Sequence, residues 1–485
     1  MRIAPHAFRH YDIRALVDQE LPLAEMYALG RALADYILQE NPDAHSIIIG
    51  RDGRTHSSEI QRHIVQAFFD MGFTVHDTGL CPTPVVYFAL YNAPHTDPYD
   101  AALMITASHN GPEYNGIKIC VGKQSLWGDQ IQKIQQLYML HASSRPACIP
   151  HPTRKASYQR VAIQDQYVEY MAREFSDLRT IAHPLLADCG NGAVGSILRA
   201  VVDAVGLTDV TILCEEVDGT YPHHTANPVE EENMRHVIEK VHQERPFLAV
   251  GFDGDGDRMA AVTPDGKILS GDILLVLFAH DVLKEHPHAT VVYDSKCSLV
   301  VEQAIRQHAG IPVRSPSGHS LIKKMIRETQ ALLGGELSCH FFFADRYFGF
   351  DDGIYAFLRL VRLLHRHEKS FSDLLRTVPH TYSTPEIRIF CADTHKHQTI
   401  ELFKKHLLED AAYTVSCDDG VRFEHAGGWG LVRASHTQPA LCIRCESFTH
   451  DGLQALQKTV YDTLQKILPV AELFPLTAYN TKEVI

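Results

Sequence analysis

The sequence predicts a multidomain α/β protein built on mostly parallel sheets. At about 150 residues per domain, the 485 residues correspond to roughly three domains, with two or four within error. Short apolar runs alternate with longer amphipathic stretches through most of the chain, a pattern typical of βαβ units. Hydrophobic residues make up 45% and charged residues 21%, which excludes disordered and fibrous chains.

The individual elements follow from this pattern. Residues 59–71 are amphipathic and predict a helix. Polar, Pro-bearing segments at 143–158 and 376–386 are predicted linkers, and the strand-rich and then helical pattern beyond the second predicts a smaller α+β domain. The buried strands are predicted at residues 46–50, 101–106, 185–188, 247–252 and 290–293.

Charge and hydropathy limit the partners. The formal net charge of -14 disfavours nucleic acid and anionic membranes, so a small anionic substrate would need a local basic pocket. The longest apolar stretch, 273–279, is far shorter than the roughly 20 residues of a membrane-spanning helix. The first ten residues lack the apolar core of a signal peptide, and the odd set of 11 cysteines fits reduced thiols. A cytoplasmic protein is expected.

The most informative segment is the acidic loop at residues 251–258. Asp253, Asp255 and Asp257 alternate with glycines, so that three carboxylates can converge on one hard cation. A calcium loop of the EF-hand type is excluded, because its sixth and twelfth positions would be Arg258 and Pro264. A solvated acidic turn is a weak alternative, since the loop joins two apolar strands. Mg²⁺ is the predicted ion, bound by carboxylates together with a phosphate oxygen.

A second loop, residues 106–118, also follows a predicted strand and places Ser108 beside His109. Alone, this pair would usually be an ordinary turn, and the loop lacks the Gly-x-Ser-x-Gly pattern of a serine hydrolase. A magnesium site changes the interpretation, because a phosphoserine adds about −1.5 to −2 charges and needs a cation nearby. The two loops together therefore favour a serine that carries a phosphoryl group.

Two further loops offer groups for a sugar phosphate. Glu336 and Ser338 could satisfy neighbouring sugar hydroxyls, although a helix N-cap would explain Ser338 equally well. Residues 433–439 combine a guanidinium, hydroxyls and an imidazole, which suits a phosphate, but a polar turn before a strand is about as probable on spacing alone.

In this order, the four loops resemble those of the α-D-phosphohexomutase family, and the resemblance runs along nearly the whole chain. Residues 336–340 and 433–439 are similar to its bacterial phosphomannomutase/phosphoglucomutase branch, whereas Leu337 stands where the phosphoglucosamine mutase branch typically carries Gln. Further segments similar to family motifs are Phe8 to Arg14, Gly50 to Arg54, Asp188 to Gly192 and Gly349 to Gly353.

The resemblance implies four domains around a central cleft: three related mixed α/β sheet units and a smaller C-terminal α+β domain that closes over the substrate. The predicted bounds are 1–155 with the phosphoserine loop, 156–257 with the metal loop, 258–375 with the sugar-binding loop, and 376–485 with the phosphate-binding loop. Residues 470–485 are expected to form a peripheral tail, and a monomer is expected.

The resemblance also implies roles for individual residues. Ser108 would be the phosphorylated serine and would bind Mg²⁺ together with Asp253, Asp255 and Asp257. The other predicted catalytic groups are His109, Lys118 and Arg258, the first two as candidates for proton transfer or a purely electrostatic role. The predicted substrate-binding residues are Tyr11, Arg14, Lys296, His319, Glu336, Ser338, His340, Arg433, Ser435, His436 and Thr437.

The implied activity is reversible interconversion of hexose 6-phosphate and hexose 1-phosphate through a phosphoserine and a hexose 1,6-bisphosphate, with glucose 1,6-bisphosphate as activator. Three positions depart from the family pattern: Ala15, Cys339 and His436. None removes a ligand or the nucleophile. The alternatives are a phosphoglucosamine mutase, a catalytically silent sugar-phosphate-binding protein motivated by these departures, and a magnesium-dependent phosphatase.

Overall fold

A computed structural model shows four units, each built around its own sheet. It describes residues 2–93, 98–143, 155–179, 181–367, 371–392, 394–425, 427–435, 439–469 and 482–484. The three mixed α/β units and the smaller antiparallel unit confirm the predicted fold class. Within the described residues, no helix combines the length and apolar character that crossing a membrane requires.

The first unit has a mixed sheet with strand order β1-β5-β4-β2-β3-β7, and β6 pairs with β5. Neighbours among β2, β3, β4 and β7 run parallel, and β5 is antiparallel to β1 and β4. Its strands are β1 (Ile13–Leu16), β2 (Ser46–Arg51), β3 (Thr74–Leu80), β4 (Ala101–Ile105), β5 (Tyr114–Val121), β6 (Gln124–Ser125) and β7 (Ser157–Arg160). Its helices are α1 (Met26–Glu40), α2 (Ser57–Asp70), α3 (Thr83–Asn92) and α4 (Asp129–Ser143).

The second unit has the sheet order β11-β10-β8-β9, in which only β11 is antiparallel to its neighbour. Its elements are α5 (Ile163–Glu174), β8 (Leu185–Asp188), α6 (Leu198–Val205), β9 (Val210–Leu213), α7 (Arg235–Glu244), β10 (Leu248–Phe252) and β11 (Met259–Val262). β7 and β11 lie just beyond the predicted boundaries after residues 155 and 257, and each pairs with the sheet of the preceding unit. Periodicity along the chain marks a strand but does not show which sheet the strand joins.

The third unit repeats this arrangement with the order β13-β12-β14-β15, in which β15 alone is antiparallel. Its elements are α8 (Gly271–Glu285), β12 (Thr290–Asp294), α9 (Leu299–Gln307), β13 (Ile311–Ser315), α10 (His319–Thr329), β14 (Leu333–Gly335), β15 (Phe341–Phe343), α11 (Gly353–His367) and α12 (Phe371–Leu375). The largest apolar core joins α3 of the first unit to α5, α8 and α11, so that the first three units share one interior.

The fourth unit has an antiparallel sheet with the order β18-β19-β20-β21-β16-β22, and β17 pairs with β21. Its elements are β16 (Thr381–Ser383), β17 (Ile387–Phe390), α13 (Lys396–Leu408), β18 (Thr414–Ser416), β19 (Val421–His425), β20 (Gly428–Ala434), β21 (Ala440–Ser447), α14 (His450–Leu464) and β22 (Lys482–Val484). β22 lies within the predicted peripheral tail and forms an edge strand instead, whereas residues 470–481 and 485 lie outside the described part of the chain.

Polar contacts fix the fourth unit against the third. Arg422 Nη1 donates to the carbonyl of Ser295 at 2.7 Å, and Arg444 Nη1 donates to that of Lys296 at 2.7 Å. The buried carboxylate of Glu446 accepts hydrogen bonds from Ser298 Oγ and, at 2.7 Å, from Trp429 Nε1. Because these groups are buried and paired across the interface, they define the position of the fourth unit relative to the third.

Candidate active site

A cleft of about 420 Å³ lies where the four units meet. Most of the residues predicted to bind substrate or act in catalysis line this cleft. They are Tyr11, Arg14, His109, Arg258, Lys296, His319, Glu336, Ser338, His340, Arg433 and Ser435. Ser108, Lys118 and the three aspartates lie buried beside it, and His436 and Thr437 lie outside the described residues.

The Ser108 loop follows β4, as predicted, and has a strained backbone. Ser108 is buried and has a positive φ of 52°, which non-glycine residues adopt at a cost of about 1 kcal/mol or more. Its N-H donates to Thr106 Oγ1 at 2.8 Å. The fully buried Arg54 donates to the carbonyls of Ser108 and Asn110 at 2.7 and 2.6 Å. These contacts fix the backbone conformation of the loop at Ser108.

The acidic loop between β10 and β11 meets the Ser108 loop directly. Ser108 Oγ donates to Asp253 Oδ2 at 2.7 Å, and one carboxylate oxygen from each of the three aspartates lies within 4.8 Å of the others. The backbones are so close that a Cβ added at Gly254 would lie 2.4 Å from the Ser108 carbonyl oxygen. Glycine is therefore required there by the close approach of the two loops.

The crowded carboxylates need a compensating cation. Burial, reinforced by the charges of Asp257 and Asp255, raises the pKa of Asp253 well above its usual value. Lys118 Nζ donates to Asp255 Oδ2 at 2.6 Å and also to Asp257 Oδ2. Although burial alone would lower it, the pKa of Lys118 is raised by these two carboxylates.

The donor set fits Mg²⁺. Asp255 Oδ1 and Asp257 Oδ1 are buried and receive no hydrogen bond from any described residue, so both are available as ligands. Magnesium prefers oxygen donors and takes few carboxylates. Asp253 Oδ2 adds a third oxygen beside Ser108 Oγ, where a phosphoryl oxygen would complete the group.

The loop predicted to bind the sugar lies between β14 and β15. Glu336 Oε1 accepts the N-H of Gly318 at 2.6 Å, and Ser338 Oγ donates to Glu336 Oε2 at 3.2 Å. The helix-cap alternative for Ser338 is wrong, because residues between these strands form a turn. Burial raises the pKa of Glu336, and the charge of Asp294 acts in the same direction. The pair faces the cleft with one acceptor and one hydroxyl, as sugar recognition requires.

His340 links the acidic loop to a second charged group. Its Nε2 accepts from Arg258 Nε at 2.8 Å, and its Nδ1 lies 3.0 Å from Asp351 Oδ2. Asp351 also accepts from Lys323 Nζ at 2.9 Å, and that nitrogen lies 3.1 Å from His319 Nδ1. These contacts orient His319 and His340.

The far end of the cleft is cationic. The sequence had placed Arg433 in the loop before β21. In the structure Arg433 lies within β20, because β20 pairs with β21 through Ala434. Across the sheet, Arg388 and Arg433 both register with Cys442, so that two guanidinium side chains flank one thiol. Arg433 Nε and Nη1 are buried and make no hydrogen bond to a described residue, although Nη1 lies 3.8 Å from Asp419 Oδ1.

Glu386 lies among these cations. Its carboxylate lies 3.8 Å from Lys296 Nζ, 3.0 Å from Arg388 Nη2 and 4.0 Å from Arg433 Nη2. Burial opposes ionisation, but Lys296 and Arg433 outweigh it and lower the pKa of Glu386 to about 2. This end of the cleft therefore has the charge expected of a phosphate site.

Several functional residues were not predicted. Arg54, Asp351, Lys323 and Glu386 were missed as site residues. Arg54 ends the Gly50 to Arg54 motif, and Asp351 lies within the Gly349 to Gly353 motif, so those patterns were the available signals. Lys323 and Glu386 lie outside the quoted motifs, and only the tertiary structure brings them to the cleft.

Comparison with known proteins adds independent evidence. Family models of phosphoglucomutase/phosphomannomutase match in four segments: alpha/beta/alpha domain I at residues 5–143, domain II at 165–266, domain III at 270–382 and the C-terminal domain at 386–463. A phosphomannomutase/phosphoglucomutase of Pseudomonas syringae pv. tomato is 38% identical over 467 residues, covering 96% of each chain. A phosphoglucomutase of Neisseria meningitidis serogroup A is 35% identical over 457 residues, covering 94% of this chain and 96% of the relative.

Solved structures have the same overall fold. A phosphoglucomutase/phosphomannomutase family protein of Burkholderia thailandensis superposes with a TM-score of 0.86 at 32% identity, covering 99% of each chain. A phosphomannomutase described as putative, from Thermus thermophilus, has a TM-score of 0.75 at 20% identity, covers 94% of this chain and 98% of its own, and supports the fold alone.

Proposed function

Because the chain belongs to the phosphoglucomutase/phosphomannomutase family, we propose that it interconverts hexose 6-phosphates and hexose 1-phosphates of both the gluco and manno series. The observation that carries this proposal is the contact of Ser108 Oγ with Asp253 Oδ2 at 2.7 Å, beside a cleft to which all four units contribute. A phosphorylated serine at this position is next to three acids that can bind its counter-ion and lies beside the cleft that would hold the sugar.

The reaction consists of two phosphoryl transfers. In the first, the bond from phosphorus to Ser108 Oγ breaks as a bond to the free sugar hydroxyl forms, giving a hexose 1,6-bisphosphate. The bisphosphate then turns end for end, and its other phosphoryl group returns to Ser108. Positioning and charge stabilisation supply most of the catalysis in such transfers. When bound by Ser108, Asp253, Asp255 and Asp257, Mg²⁺ supplies charge neutralisation at the transferring group.

His109 is the better candidate to accept the proton of the attacking hydroxyl. Its Nδ1 lies 3.1 Å from Ser108 Oγ, and burial together with Arg258 lowers its pKa well below the usual value, so the ring is neutral and has a free nitrogen that can accept a proton. Lys118 is less suited to this role, because its two carboxylate partners keep the amine protonated. Lys118 instead stabilises charge beside the acidic loop.

The two ends of the cleft have separate tasks. Glu336 and Ser338 contact sugar hydroxyls, whereas Arg433 and Ser435 bind the phosphate that does not react. Because the bisphosphate intermediate rotates end for end, these residues must contact hydroxyls that both orientations share. They must also tolerate a difference in configuration at C2. Glucose 1,6-bisphosphate acts as activator by phosphorylating Ser108 when the enzyme has lost its phosphoryl group.

The proposal predicts turnover of both epimers. With Mg²⁺ and catalytic glucose 1,6-bisphosphate, glucose 1-phosphate and mannose 1-phosphate should each yield the 6-phosphate, with kcat/KM values within about 100-fold, since one hydroxyl that the site does not read is worth about 1–3 kcal/mol. A coupled assay of each 6-phosphate measures this. Turnover of only one epimer would contradict the shared-site argument.

The same assay separates the other candidate functions. Faster turnover of glucosamine 1-phosphate than of both neutral sugars would indicate a phosphoglucosamine mutase. Release of inorganic phosphate without isomerised sugar would indicate a phosphatase. Sugar phosphate binding without either product would indicate a silent binding protein.

Removal of the metal should abolish activity without unfolding the chain. We expect a chelator to lower turnover at least about 100-fold, with full recovery on adding Mg²⁺, because the acidic loop would lose the cation that offsets its buried charge. The variant Asp255→Asn should lose activity to a similar extent even in excess Mg²⁺. Asp265→Asn, in an exposed turn of the same unit, is the control and should match the unsubstituted protein. Unchanged turnover after chelation would exclude a metal role.

A further inference from the structure

A second group of metal-ligating side chains lies outside the cleft, at the carboxyl edge of the second sheet. Asp188 is the last residue of β8, Cys214 directly follows β9, and His224 lies in the loop beyond. His224 Nε2 lies 3.0 Å from Asp188 Oδ2 and 4.0 Å from Cys214 Sγ, and the three ligand atoms fall within 4.8 Å of one another. In parallel sheets, this edge is where ligands bind.

The surrounding contacts orient each donor atom toward a common point. His224 Nδ1 lies 3.0 Å from the carbonyl of Thr225, which can only accept, so Nδ1 donates its proton and Nε2 faces the cluster. Asp188 Oδ1 accepts the N-H of Gly190 at 2.9 Å, which leaves Oδ2 facing His224. A ligating histidine whose other nitrogen donates to a backbone carbonyl is the usual outer-shell arrangement of zinc sites.

We propose that Asp188, Cys214 and His224 bind one Zn²⁺ ion, with a water molecule as the fourth ligand. Thiolate, imidazole and carboxylate form a donor set that zinc prefers, at about 2.3 Å to sulfur and about 2.0 Å to nitrogen. The observed separations permit these bonds after small side-chain movements. On binding, Cys214 loses its thiol proton as the zinc–sulfur bond forms, and His224 loses the Nε2 proton that it donates to Asp188 Oδ2 as the zinc–nitrogen bond forms, both protons going to solvent. Cys214 and His224 are both partly exposed, which gives the ion a route to the site.

The ion would close a loop that supports the cleft. Cys214 and His224 stand at the two ends of residues 215–223, and Tyr221 within that loop lies below the Arg54 guanidinium at 5.2 Å from the ring centre. The loop also packs closely on the first unit, since a Cβ added at Gly219 would lie 2.4 Å from the Gly53 carbonyl oxygen. A metal bridge between the two ends would restrict the opening of this loop.

Cobalt substitution tests the proposal with a readout independent of activity. In protein saturated with Mg²⁺, added Co²⁺ should produce the intense near-ultraviolet charge-transfer band of a cobalt–thiolate bond, which an all-oxygen site does not give. The band should be lost in Cys214→Ser and retained in Cys417→Ser, whose thiol is exposed in the fourth unit. Zn²⁺ should remove the band by displacement. Absence of the band, or its survival in Cys214→Ser, would show that the group is only a structural ion pair.

Zinc affinity and hydrogen exchange provide two further tests of the site. Competition with a chromophoric chelator should show at least about a tenfold weaker Zn²⁺ affinity in both Cys214→Ala and His224→Asn. Zn²⁺ should slow hydrogen exchange across residues 215–223 in the unsubstituted protein but not in Cys214→Ala. Mutase turnover without zinc reports whether each variant is folded, and a folded variant with unchanged zinc affinity would overturn the proposal.

Discussion

Replacing Ser108 with Ala is expected to lower kcat for hexose phosphate interconversion by at least about a thousandfold. The hydroxyl is the atom that stores the phosphoryl group, and in the structure its oxygen lies next to Asp253 at the floor of the cleft. The rest of the loop should keep its conformation, because Thr106 and Arg54 bind the backbone N-H and carbonyl of residue 108 and not its side chain. The loss of activity is therefore chemical, and the cost in stability is limited to the hydrogen bond that Asp253 Oδ2 loses.

Intact mass and turnover together measure this effect. The purified protein, after exposure to glucose 1,6-bisphosphate, should gain the mass of one phosphoryl group, and Ser108→Ala should not. Ser46→Ala is a suitable control, because Ser46 is also buried but begins β2 at the opposite edge of the sheet. A phosphoryl group retained in Ser108→Ala, or turnover within about tenfold of the unsubstituted enzyme, would place the nucleophile elsewhere.

The site could be predicted from the sequence where its chemistry is local. The alternating aspartates and glycines at 253–257, and the serine at the end of an apolar run, are visible as patterns within a few residues. The strands that precede these loops are visible as apolar runs. Because the loops after parallel strands lie at one edge of a sheet, the position of each loop within its own unit could also be predicted. The structure confirms the predicted strands before Ser108 and Asp253 as β4 and β10, and Glu336 directly follows β14, a strand that was not predicted.

Contacts between units could not be predicted in this way. The approach of Gly254 to the Ser108 carbonyl depends on how the second unit sits on the first, and no periodicity within either segment encodes it. The same holds for Glu386, which joins Lys296 of the third unit to Arg433 of the fourth. Arg433 was misplaced in a loop because the polar residues after it obscured the end of β20.

Arg54 shows how a residue without a chemical role determines the geometry of the site. Its guanidinium donates to the carbonyls of Ser108, Asn110, Gly111 and Tyr114 and pairs with Asp52 at 3.1 Å. Arg54, Asp52 and Ser108 are buried, and Asn110, Gly111 and Tyr114 are partly buried, so removing the guanidinium would leave the Asp52 carboxylate and the Ser108 carbonyl without this partner and shielded from water. The Ser108 loop therefore owes its conformation to a side chain more than 50 residues earlier in the chain.

The variant Arg54→Met is expected to lower the free energy of unfolding by about 3–5 kcal/mol. Methionine fills much of the volume but donates no hydrogen bond, so Asp52 loses its counter-charge and the loop carbonyls lose their donors. The free energy of unfolding of Arg54→Lys should fall between those of the unsubstituted protein and Arg54→Met, because a single ammonium keeps the charge but cannot reach several carbonyls at once. Denaturant unfolding of the three proteins measures the order.

Arg62→Met, on the exposed face of α2, is the matched control and should change stability by less than about 0.5 kcal/mol, since its ion pair with Glu59 is exposed to solvent.

Turnover distinguishes support of the Ser108 loop from general stability. At a temperature where Arg54→Lys is fully folded, its kcat should still be lower, because the Ser108 oxygen is no longer held 2.7 Å from Asp253. Equal stability of Arg54→Met and Arg62→Met would show that the loop is held by its strands and the acidic loop alone.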